Sequence, residues 1–540
     1  MTAGRFVRGM AVVLLVTPLL AVAQEVPGQK APKPIQKPAP APVEKTAPAH
    51  PAPPNSPLKV TVQQFDFTGN SVFDSATLSK QVESYLGHPI TIAEIYEAAD
   101  KVAQIYVEKG YTLASVSPPA QKIANGHVRL EVIEGKVGKV GVEGNTVYSS
   151  EQVQKTLGAF DKGQVYRGDT LEEGMFRVND LPGENARAVL KPGAEYGTTD
   201  IVIKADEKRV GGALTFDNYG RKDIGTFRTT GSVVINNPTT LRDQLQLSYT
   251  QSAGALLKYG YADYNVAVGY SGLRADVSYG EARYQPELAG TGISIHGKNR
   301  TGTAQLEYPV LRTRTDTFSV SGGAQRILAD SSFAGISIPG VSITIGQIGG
   351  FYNHVYANSA VTQSSLTLAS SFSSPDRSDF NVQDETLRAE LDLQHLQPIV
   401  SRLDGYARVN GVWSPDRLPK VSQFSIGGAT SVRGYPPSEL TGDRGYFGTA
   451  GLRYSIPIGT FRTAARIFVD TGGVQHLEHI VRGESFPHET SAGVGFDASV
   501  PTGPVALTAK IDLSMPTDDP ESVSDDKHDG RVYAALTASF

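Results

Sequence analysis

The last part of the chain is built from short segments in which polar and apolar residues alternate. One example runs from Phe461 to Asp470. Its two faces are Phe461, Thr463, Ala465, Ile467 and Val469 on one side, and Arg462, Ala464, Arg466, Phe468 and Asp470 on the other. A period of two is that of a β-strand. An apolar face opposite a charged face is typical of a membrane barrel, in which lipid-facing and lumen-facing residues alternate.

Segments of this kind fill residues 209–540, and no helical period interrupts them. After Tyr446 there are five, which we expect to be about nine to twelve residues long and to be joined by alternating short and long connections. At roughly 20 residues per strand and connection, the region predicts about 16 antiparallel strands. The final segment, Val532 to Phe540, ends on an aromatic residue, as suits a closing strand. The predicted fold is therefore an all-β transmembrane barrel.

Two α+β units precede the barrel and repeat one order of elements, strand-helix-helix-strand-strand (βααββ). We place them at residues 58–135 and 136–208, where the first strands end in matching Gly69-Asn70 and Gly144-Asn145 turns. Each unit is large enough to bury one face of two helices against a sheet.

Local signals indicate where the helices of these units begin and end. Asp74 is a candidate N-cap of a helix that we expect to run to about Leu86, and Thr91 with Glu94 has the spacing of a capping box. Gly110 is placed to end the second helix in a left-handed conformation. In the second unit Asp169 is the candidate cap of a helix from Thr170.

The amino-terminal residues have the features of an export signal and a tether. Two basic residues, Arg5 and Arg8, precede an apolar stretch, and Ala21-Val22-Ala23 resembles a signal-peptidase site. We therefore predict a signal peptide at residues 1–23. Residues 24–57 are so rich in proline that we expect a stiff, extended, solvated tether.

A long loop lies within the barrel region. Ser425 to Tyr446 reads SIGGATSVRGYPPSELTGDRGY, with five glycines, two prolines, and both Arg433 and Arg444. That composition fits no helix or strand period and indicates special turn geometry. Loops of this length usually have a function.

Composition narrows the class of protein further. The 540 residues include no cysteine, which excludes disulfides, thiolate zinc sites and a thiol nucleophile. The net charge of -5 gives no basic excess that would indicate nucleic acid as a partner. The 56 glycines, 23 tyrosines and one tryptophan fit a barrel with a polar lumen better than a large soluble core.

The motifs that would indicate an enzyme are incomplete. Residues 269–273 read GYSGL and lack the last glycine of a G-x-S-x-G elbow. His476 and His479 lie in a predicted loop and lack the helical spacing of a zinc site. The acidic run of residues 518–529 is interpreted as a solvated loop, with divalent-cation binding as the alternative. We therefore predict no catalytic residue, cofactor or metal.

With two βααββ units before a barrel whose long loop contains Val432-Arg433-Gly434-Tyr435, the chain resembles the outer-membrane transporters of two-partner secretion. Further similarity lies in Phe468-Val469-Asp470-Thr471-Gly472 and in Asp217-Asn218-Tyr219-Gly220. These transporters belong to the superfamily of polypeptide-transport-associated (POTRA) domain and barrel proteins. The resemblance covers residues 58–540.

The resemblance implies a fold and a set of site residues. The loop, residues 415–445 here, would fold back into the lumen, and Arg433 would pair with Asp470. The implied set is Val432, Arg433, Gly434, Tyr435, Phe468, Asp470 and Gly472. The POTRA domains would lie in the periplasm and capture an unfolded substrate by strand addition. The candidate substrate groove of the first domain is formed by Ile105, Tyr106, Tyr111, Leu113 and Val116. The alternative interpretation is that these residues are ordinary core.

The implied function is translocation of a large secreted protein, such as an adhesin, cytolysin or toxin, through a monomeric pore in the lipopolysaccharide-bearing outer membrane. A barrel-assembly factor is the alternative, and a diffusion porin ranks third. Family members often carry an amino-terminal plug helix, but no four-turn amphipathic stretch can be drawn through the proline-rich residues 24–57. The chain therefore either lacks that plug or replaces it with an extended tether. The inward loop alone would then limit leakage.

Overall fold

The computed structural model describes residues 43–44, 58–286, 295–372, 385–477, 486–517 and 530–540. Residues 39–208 form one compact part and residues 209–540 another. The predicted signal peptide lies outside the described residues, as does all of the predicted tether except Val43–Glu44. The residues in which a plug helix would lie are also outside the described part of the chain.

The first unit combines short strands with two helices. Its strands are β2 Lys59–Thr61, β3 Gln64–Thr68, β4 Pro89–Thr91, β5 Ser115–Ser117 and β6 His127–Ile133, and its helices are α1 Ser75–Gln81 and α2 Ile92–Glu108. One sheet has the order β3-β6-β5, and β2 pairs with β4 apart from it. The βααββ order is therefore correct, although the first predicted strand is divided and β4 is additional. The predicted first helix, expected to reach Leu86, ends at Gln81 and is followed by a 3₁₀ turn, Glu83–Tyr85.

The predicted helix caps of the first unit are confirmed. The Asp74 side chain accepts a hydrogen bond from the backbone N–H of Thr77. Thr91 and Glu94 form both bonds of a capping box at the start of α2. Gly110 has a φ of 91° just after α2, a conformation that glycine adopts without the steric cost of a Cβ atom.

The second unit has strands β7 Lys136–Glu143, β8 Arg187–Pro192 and β9 Thr198–Lys204, with helices α3 Ser150–Leu157 and α4 Gly168–Asn179. Asp169 is not the cap of α4. The helix begins at Gly168 with Arg167 as its N-cap, which makes no side-chain capping bond, and Asp169 instead pairs with Arg167. The reason is that the helix begins two residues earlier than predicted, where the Gly168 N–H donates to the carbonyl of Gly110.

Two tether residues are paired rather than solvated. Strand β1, Val43–Glu44, adds in parallel to β8, with Val43 opposite Ala188 and Glu44 opposite Val189. The sheet order of the second unit is accordingly β1-β8-β9-β7. The prediction of a wholly solvated tether is therefore wrong at this point, because β8 would otherwise leave an open sheet edge that an extended chain can pair with.

The barrel consists of 16 antiparallel strands that close on themselves, which confirms the predicted number. The first eight are β10 Val210–Asp217, β11 Arg228–Asn236, β12 Asp243–Ser252, β13 Leu257–Ala267, β14 Arg274–Tyr284, β15 Ile295–Arg312, β16 Asp316–Phe333 and β17 Ile336–Val355. The others are β18 Val361–Ser371, β19 Leu387–Val400, β20 Leu403–Trp413, β23 Arg444–Ile458, β24 Phe461–Gln475, β25 His488–Thr502, β26 Val505–Pro516 and β27 Arg531–Ser539.

The last five barrel strands show what the alternation predicted and what it missed. Short and long connections do alternate between them. However, β23, β24 and β25 each have 15 residues, more than the dozen expected. Backbone pairing between strands continues through polar residues beyond the apolar band. Each strand is therefore longer than the apolar pattern alone indicates.

The barrel closes where its first and last strands meet. Five residue pairs join β10 to β27, from Ala213 opposite Ser539 to Asp217 opposite Ala535. Gly212 and Phe540 extend this seam with two backbone hydrogen bonds. Beyond its other end, the Asn218 side chain accepts from the backbone N–H of Ala534 and donates to the carbonyl of Val532.

Among the described residues, none of the helices has the length and apolar content needed to cross a membrane.

Candidate functional site

The long loop joins β20 to β23 and is the sixth connection at its end of the barrel. It is not wholly irregular, because Phe424–Ile426 (β21) and Leu440–Gly442 (β22) pair as a small antiparallel sheet. An apolar cluster joins the loop to the strands around it. Its buried members are Val412, Leu418, Phe424, Ile426, Val432, Tyr435, Phe447 and Val474. The loop therefore packs against the barrel wall as a folded element.

The inner face of β24 is identified by the exposure of its neighbours. Ile467 and Val469 are 55% and 51% exposed on the outside, whereas Asp470 is 0% exposed. Because side chains alternate along a strand, Asp470 points into the lumen. The alternation in the sequence predicted this placement.

Arg433 at the tip of the loop binds Asp470 through two parallel hydrogen bonds. Its Nε lies 2.7 Å from Oδ2 and its Nη2 lies 2.7 Å from Oδ1. The backbone N–H of Arg433 also donates to Oδ2, at 3.1 Å. A bidentate charge-assisted pair of this kind fixes orientation as well as distance. Both side chains are almost fully buried, so the loss of one would leave the other charge unpaired.

Phe468 supports the Arg433 guanidinium from one side. The guanidinium carbon lies 3.3 Å from the centre of the Phe468 ring, within the range of a cation–π contact. The ring occupies space that a side chain at Gly493 would fill, since a Cβ atom there would lie 2.3 Å from it. Gly493 therefore makes room for the Phe468 ring, and this ring in turn positions Arg433.

Asp512 on β26 extends the pair into a network that was not predicted from the sequence. Its carboxylate lies 3.5 Å from Arg433 Nη1, 2.8 Å from Arg466 Nη2 and 3.3 Å from Lys510 Nζ. Arg466 also pairs with Asp497, at 3.1 Å. The network thus joins three basic and three acidic side chains. Inward-facing acidic residues on neighbouring strands were the available signal.

Tyr435 ties the loop to two further strands. Its hydroxyl donates to the carbonyl of Thr490 on β25, at 3.0 Å. Its own carbonyl accepts from the hydroxyl of Tyr533 on β27, at 2.8 Å. The tip of the loop therefore contacts the strand that closes the barrel.

Glycines permit the close approach of the loop and the wall. Gly434 has a φ of 105°, and a Cβ atom there would lie 3.3 Å from both Ser491 and the backbone of Pro516. At Gly472 a Cβ atom would lie 2.9 Å from the Tyr446 carbonyl and 3.1 Å from Val432. Val432 itself is fully buried.

Asp443 holds the base of the loop and was not among the predicted residues. It is 1% exposed and accepts from the backbone N–H of Leu418 and from the Gln423 side chain, at 2.8 and 3.0 Å. Its second oxygen accepts from the N–H of Leu477, at 2.8 Å. Asp443 therefore joins both sides of the loop to the chain after β24.

The five predicted groove residues of the first unit do not form one open surface. Tyr106 and Val116 are buried at 0% and 2% exposure in its core. Leu113 packs against the core of the second unit. Tyr111 lies 5.1 Å below the guanidinium of Arg167, which belongs to the second unit. Ile105 is partly exposed and packs against the core of the first unit.

Comparisons with known proteins agree with this architecture. The family described as haemolysin secretion/activation protein ShlB/FhaC/HecB matches residues 197–498. A POTRA domain of the ShlB type matches residues 60–135.

Individual relatives are similar over most of the chain. The heme/hemopexin transporter protein HuxB of Haemophilus influenzae is 23% identical over 71% of this chain and 69% of its own. The outer membrane transporter CdiB of Escherichia coli O6:K15:H31 is 23% identical over 84% of this chain and 79% of its own. The solved structure of CdiB from Escherichia coli superposes with a TM-score of 0.73 at 20% identity and covers 93% of this chain and 94% of that one.

Proposed function

The chain belongs to the haemolysin secretion/activation family ShlB/FhaC/HecB, and from this membership we propose how its parts divide the work of secretion. It is a two-partner secretion transporter of the outer membrane, with its POTRA domains in the periplasm. Its cargo is a large exoprotein, which we propose passes unfolded through the lumen of a barrel formed by one chain, surrounded by lipopolysaccharide. We propose that the protein acts as a transporter, as its family does, and not as an enzyme.

The observation that carries this proposal is the folded loop bound inside a closed barrel by Arg433 and Asp470. A charge pair buried in the lumen holds the loop in one position, and passage of a polypeptide requires that position to change. The pair therefore keeps the loop in place at rest. It depends on two side chains that lie on separate elements, so it can be broken when the loop moves.

The first POTRA domain offers an edge for capture. Its sheet has β5 at one side, and β5 pairs only with β6 among the described strands. An extended polypeptide can add to such an edge through backbone hydrogen bonds without a precise sequence match. The partly exposed Ile105 on α2 would then contact the added strand. Tyr111 and Leu113 would act indirectly, because they fix the second domain against the first.

The test is a comparison of culture supernatant and outer-membrane profiles by mass spectrometry, in cells with the protein and cells without it. We expect one large protein to disappear from the medium while other barrels keep their abundance. A general fall in unrelated barrels would instead identify a barrel-assembly factor and overturn the proposal.

The role of the loop is tested in the same assay with Arg433→Ala, in a strain whose barrel level is verified. We expect secretion to fall at least tenfold at an unchanged barrel level. Arg453→Ala is the matched control, because Arg453 is an exposed arginine on the strand that follows the loop. Full secretion by Arg433→Ala would show that the pair is not needed for transport.

A further inference from the structure

Each POTRA domain uses a glutamate near its end to bind the turn that follows its first strand. The two turns read GNSVF from Gly69 and GNTVY from Gly144. In both, the asparagine side chain donates to the carbonyl three residues later, at 2.8 Å. The glutamates are Glu134, directly after β6, and Glu207, three residues after β9. They are therefore equivalent features of the repeat.

The carboxylates accept hydrogen bonds from successive backbone N–H groups of these turns. Glu134 Oε1 accepts from Ser71 and Val72, at 2.6 and 2.7 Å. Glu207 accepts from Thr146 and Val147, and from Tyr148 at 3.2 Å. Each glutamate thus fastens the end of its domain to the beginning of the same domain.

The two domains differ in the group that lies beside this glutamate. In the first domain the Tyr106 hydroxyl donates to Glu134, at 3.0 Å. In the second domain the neighbour is another carboxyl group, that of Glu184, which is 8% exposed. The backbones of Glu184 and Glu207 form an antiparallel bridge. The end of the second domain therefore carries two carboxyl groups where the first carries a carboxylate and a phenol.

Glu184 is also fixed in place by its surroundings. Its Oε1 accepts from the backbone N–H groups of Asn185 and Asp206, at 3.2 and 3.3 Å. Its Oε2 is buried and has no hydrogen-bond partner among the described residues. A buried oxygen without a donor is costly when the group is ionised, and the same oxygen can donate when it carries a proton.

We propose that Glu184 and Glu207 form a proton-dependent clamp, in which the carboxyl group of Glu184 is protonated and its O–H donates a hydrogen bond to the carboxylate of Glu207. While the proton is present, the clamp fixes residues 205–208, the end of the second domain. When it is lost, two negative charges face each other in a partly buried place, and this segment separates from the turn at Thr146–Tyr148.

The pKa values of the groups beside the two glutamates indicate that only the clamp of the second domain depends on a proton. Burial, and then the negative charge of Glu207, raise the pKa of Glu184 to about 8. In the first domain burial opposes ionisation of Glu134, but hydrogen bonds from Ser71 and Val72 outweigh it and hold its pKa below the ordinary value. Burial and the charge of Glu134 raise the pKa of Tyr106. The first clamp therefore keeps one charge state through the neutral range.

Four other charged residues lie near Glu184 in the chain or on the segment that it fixes. Asp206 and Lys208 lie on the segment that it fixes, Asp180 lies at the end of α4, and Arg187 begins β8; all four are exposed. Water screens exposed charges, so Glu207 is the principal charge that acts on Glu184.

The direction of the pH effect follows from linkage. The folded clamp binds a proton more tightly than the opened one, in which Glu184 has the ordinary pKa of about 4.5. Stability of the closed form is therefore greatest at low pH and falls as the pH rises from about 5 to 8. One linked proton changes the opening equilibrium by up to about tenfold per pH unit in this window.

The test is hydrogen–deuterium exchange on the full-length protein in lipid nanodiscs at pH 5 to 9, with rates corrected for the intrinsic pH dependence of exchange. The reporting amides are those of Thr146, Val147 and Lys208, and those of Ser71 and Val72 in the first domain are the internal reference. We expect protection of the first set to fall with pH up to about 8 and that of the reference to stay constant.

Variants separate the proton from the fold. Glu184→Gln keeps a permanent donor, and we expect high protection that no longer changes with pH. Glu184→Ala removes the donor, so protection should be low throughout the range. Tyr106→Phe is the matched control, which should lower protection at Ser71 and Val72 equally at every pH. A flat wild-type profile, or the wild-type slope in Glu184→Gln, would overturn the proposal.

Discussion

In the first POTRA domain Leu130 is 0% exposed within an apolar core, whereas in the barrel Asp470 is 0% exposed among charged side chains. Leucine in the barrel tends to face outward, as Leu391 does with 46% exposure. The same degree of burial is thus reached with opposite chemistry. In water, burial of apolar surface drives folding. In a membrane the lipid takes up apolar residues, so paired charges and hydrogen bonds hold the interior in place.

Exchanging the two interiors gives the largest expected effects. Leu130→Asp places an unpaired charge in an apolar core and should destabilise the first domain by more than about 4 kcal/mol. Asp470→Leu leaves the buried Arg433 without its bidentate partner and should cost about 3–5 kcal/mol. Both are measured by pulse proteolysis in urea, with fragments assigned to domain or barrel by mass spectrometry.

Each substitution serves as the other's control, because it should leave the other region's midpoint unchanged. A barrel with Asp470→Leu that is as stable as the wild type would mean that the lumen tolerates an apolar interior. The contrast between the two regions would then have no energetic basis.

One substitution made in both regions tests the contrast more finely. Leu130→Ala leaves a cavity in a packed core, and we expect a loss of about 2–5 kcal/mol. Leu391→Ala on the outer face should cost less than about 1 kcal/mol, because lipid chains fill the space that the side chain leaves. The measurement is the same urea midpoint, made in liposomes so that the outer face contacts lipid. Equal losses at the two positions would contradict the contrast.

The alternation of residues was sufficient to predict the barrel and the side of β24 on which Asp470 lies. It succeeded because a strand has a fixed period and the two faces meet different solvents. The capping residues Asp74 and Thr91 were predictable for a similar reason, since their bonds are local in sequence. The pairing of Arg433 with Asp470 came from the family resemblance, because no local rule joins a loop to a strand 37 residues later.

Contacts between elements far apart in sequence could not be predicted. Glu207 lies 61 residues from the Thr146 amide that it binds, and Tyr111 reaches the second domain through Arg167. The groove residues Tyr106 and Val116 were predicted from the family resemblance, on the helix and the strand that border the groove, and core residues occupy such positions equally well. Burial depends on what packs against a residue, and the residue's own type does not specify that neighbour.

Within the lumen network, Asp512→Asn should have a moderate effect. The amide keeps the shape but weakens the contacts with Arg466 and Arg433, at 2.8 and 3.5 Å, and we expect a loss of about 1–2 kcal/mol. The readout is the rate at which protease cleaves the loop in folded barrels. Asp497→Asn is the matched control, since Asp497 is more exposed and pairs with Arg466 at 3.1 Å. An equal effect of both would show that Asp512 does not act through Arg433.

The smallest expected effect is at Glu489, where the barrel departs from its own rule of paired interior charges. Glu489 is 1% exposed on β25, and neither of its carboxyl oxygens has a hydrogen-bond partner among the described residues. The charge that acts on it most is that of Glu439 in the loop, which is also negative. Because an unpaired buried carboxylate costs free energy, Glu489→Gln should be neutral or stabilising by up to about 1 kcal/mol. The measurement is the urea midpoint of the barrel, with Glu439→Gln expected to shift it in the same direction. A loss of more than about 2 kcal/mol of unfolding free energy in Glu489→Gln would mean that the carboxylate itself stabilises the site. Glu489 would then not be an exception to the pairing of charges inside the barrel.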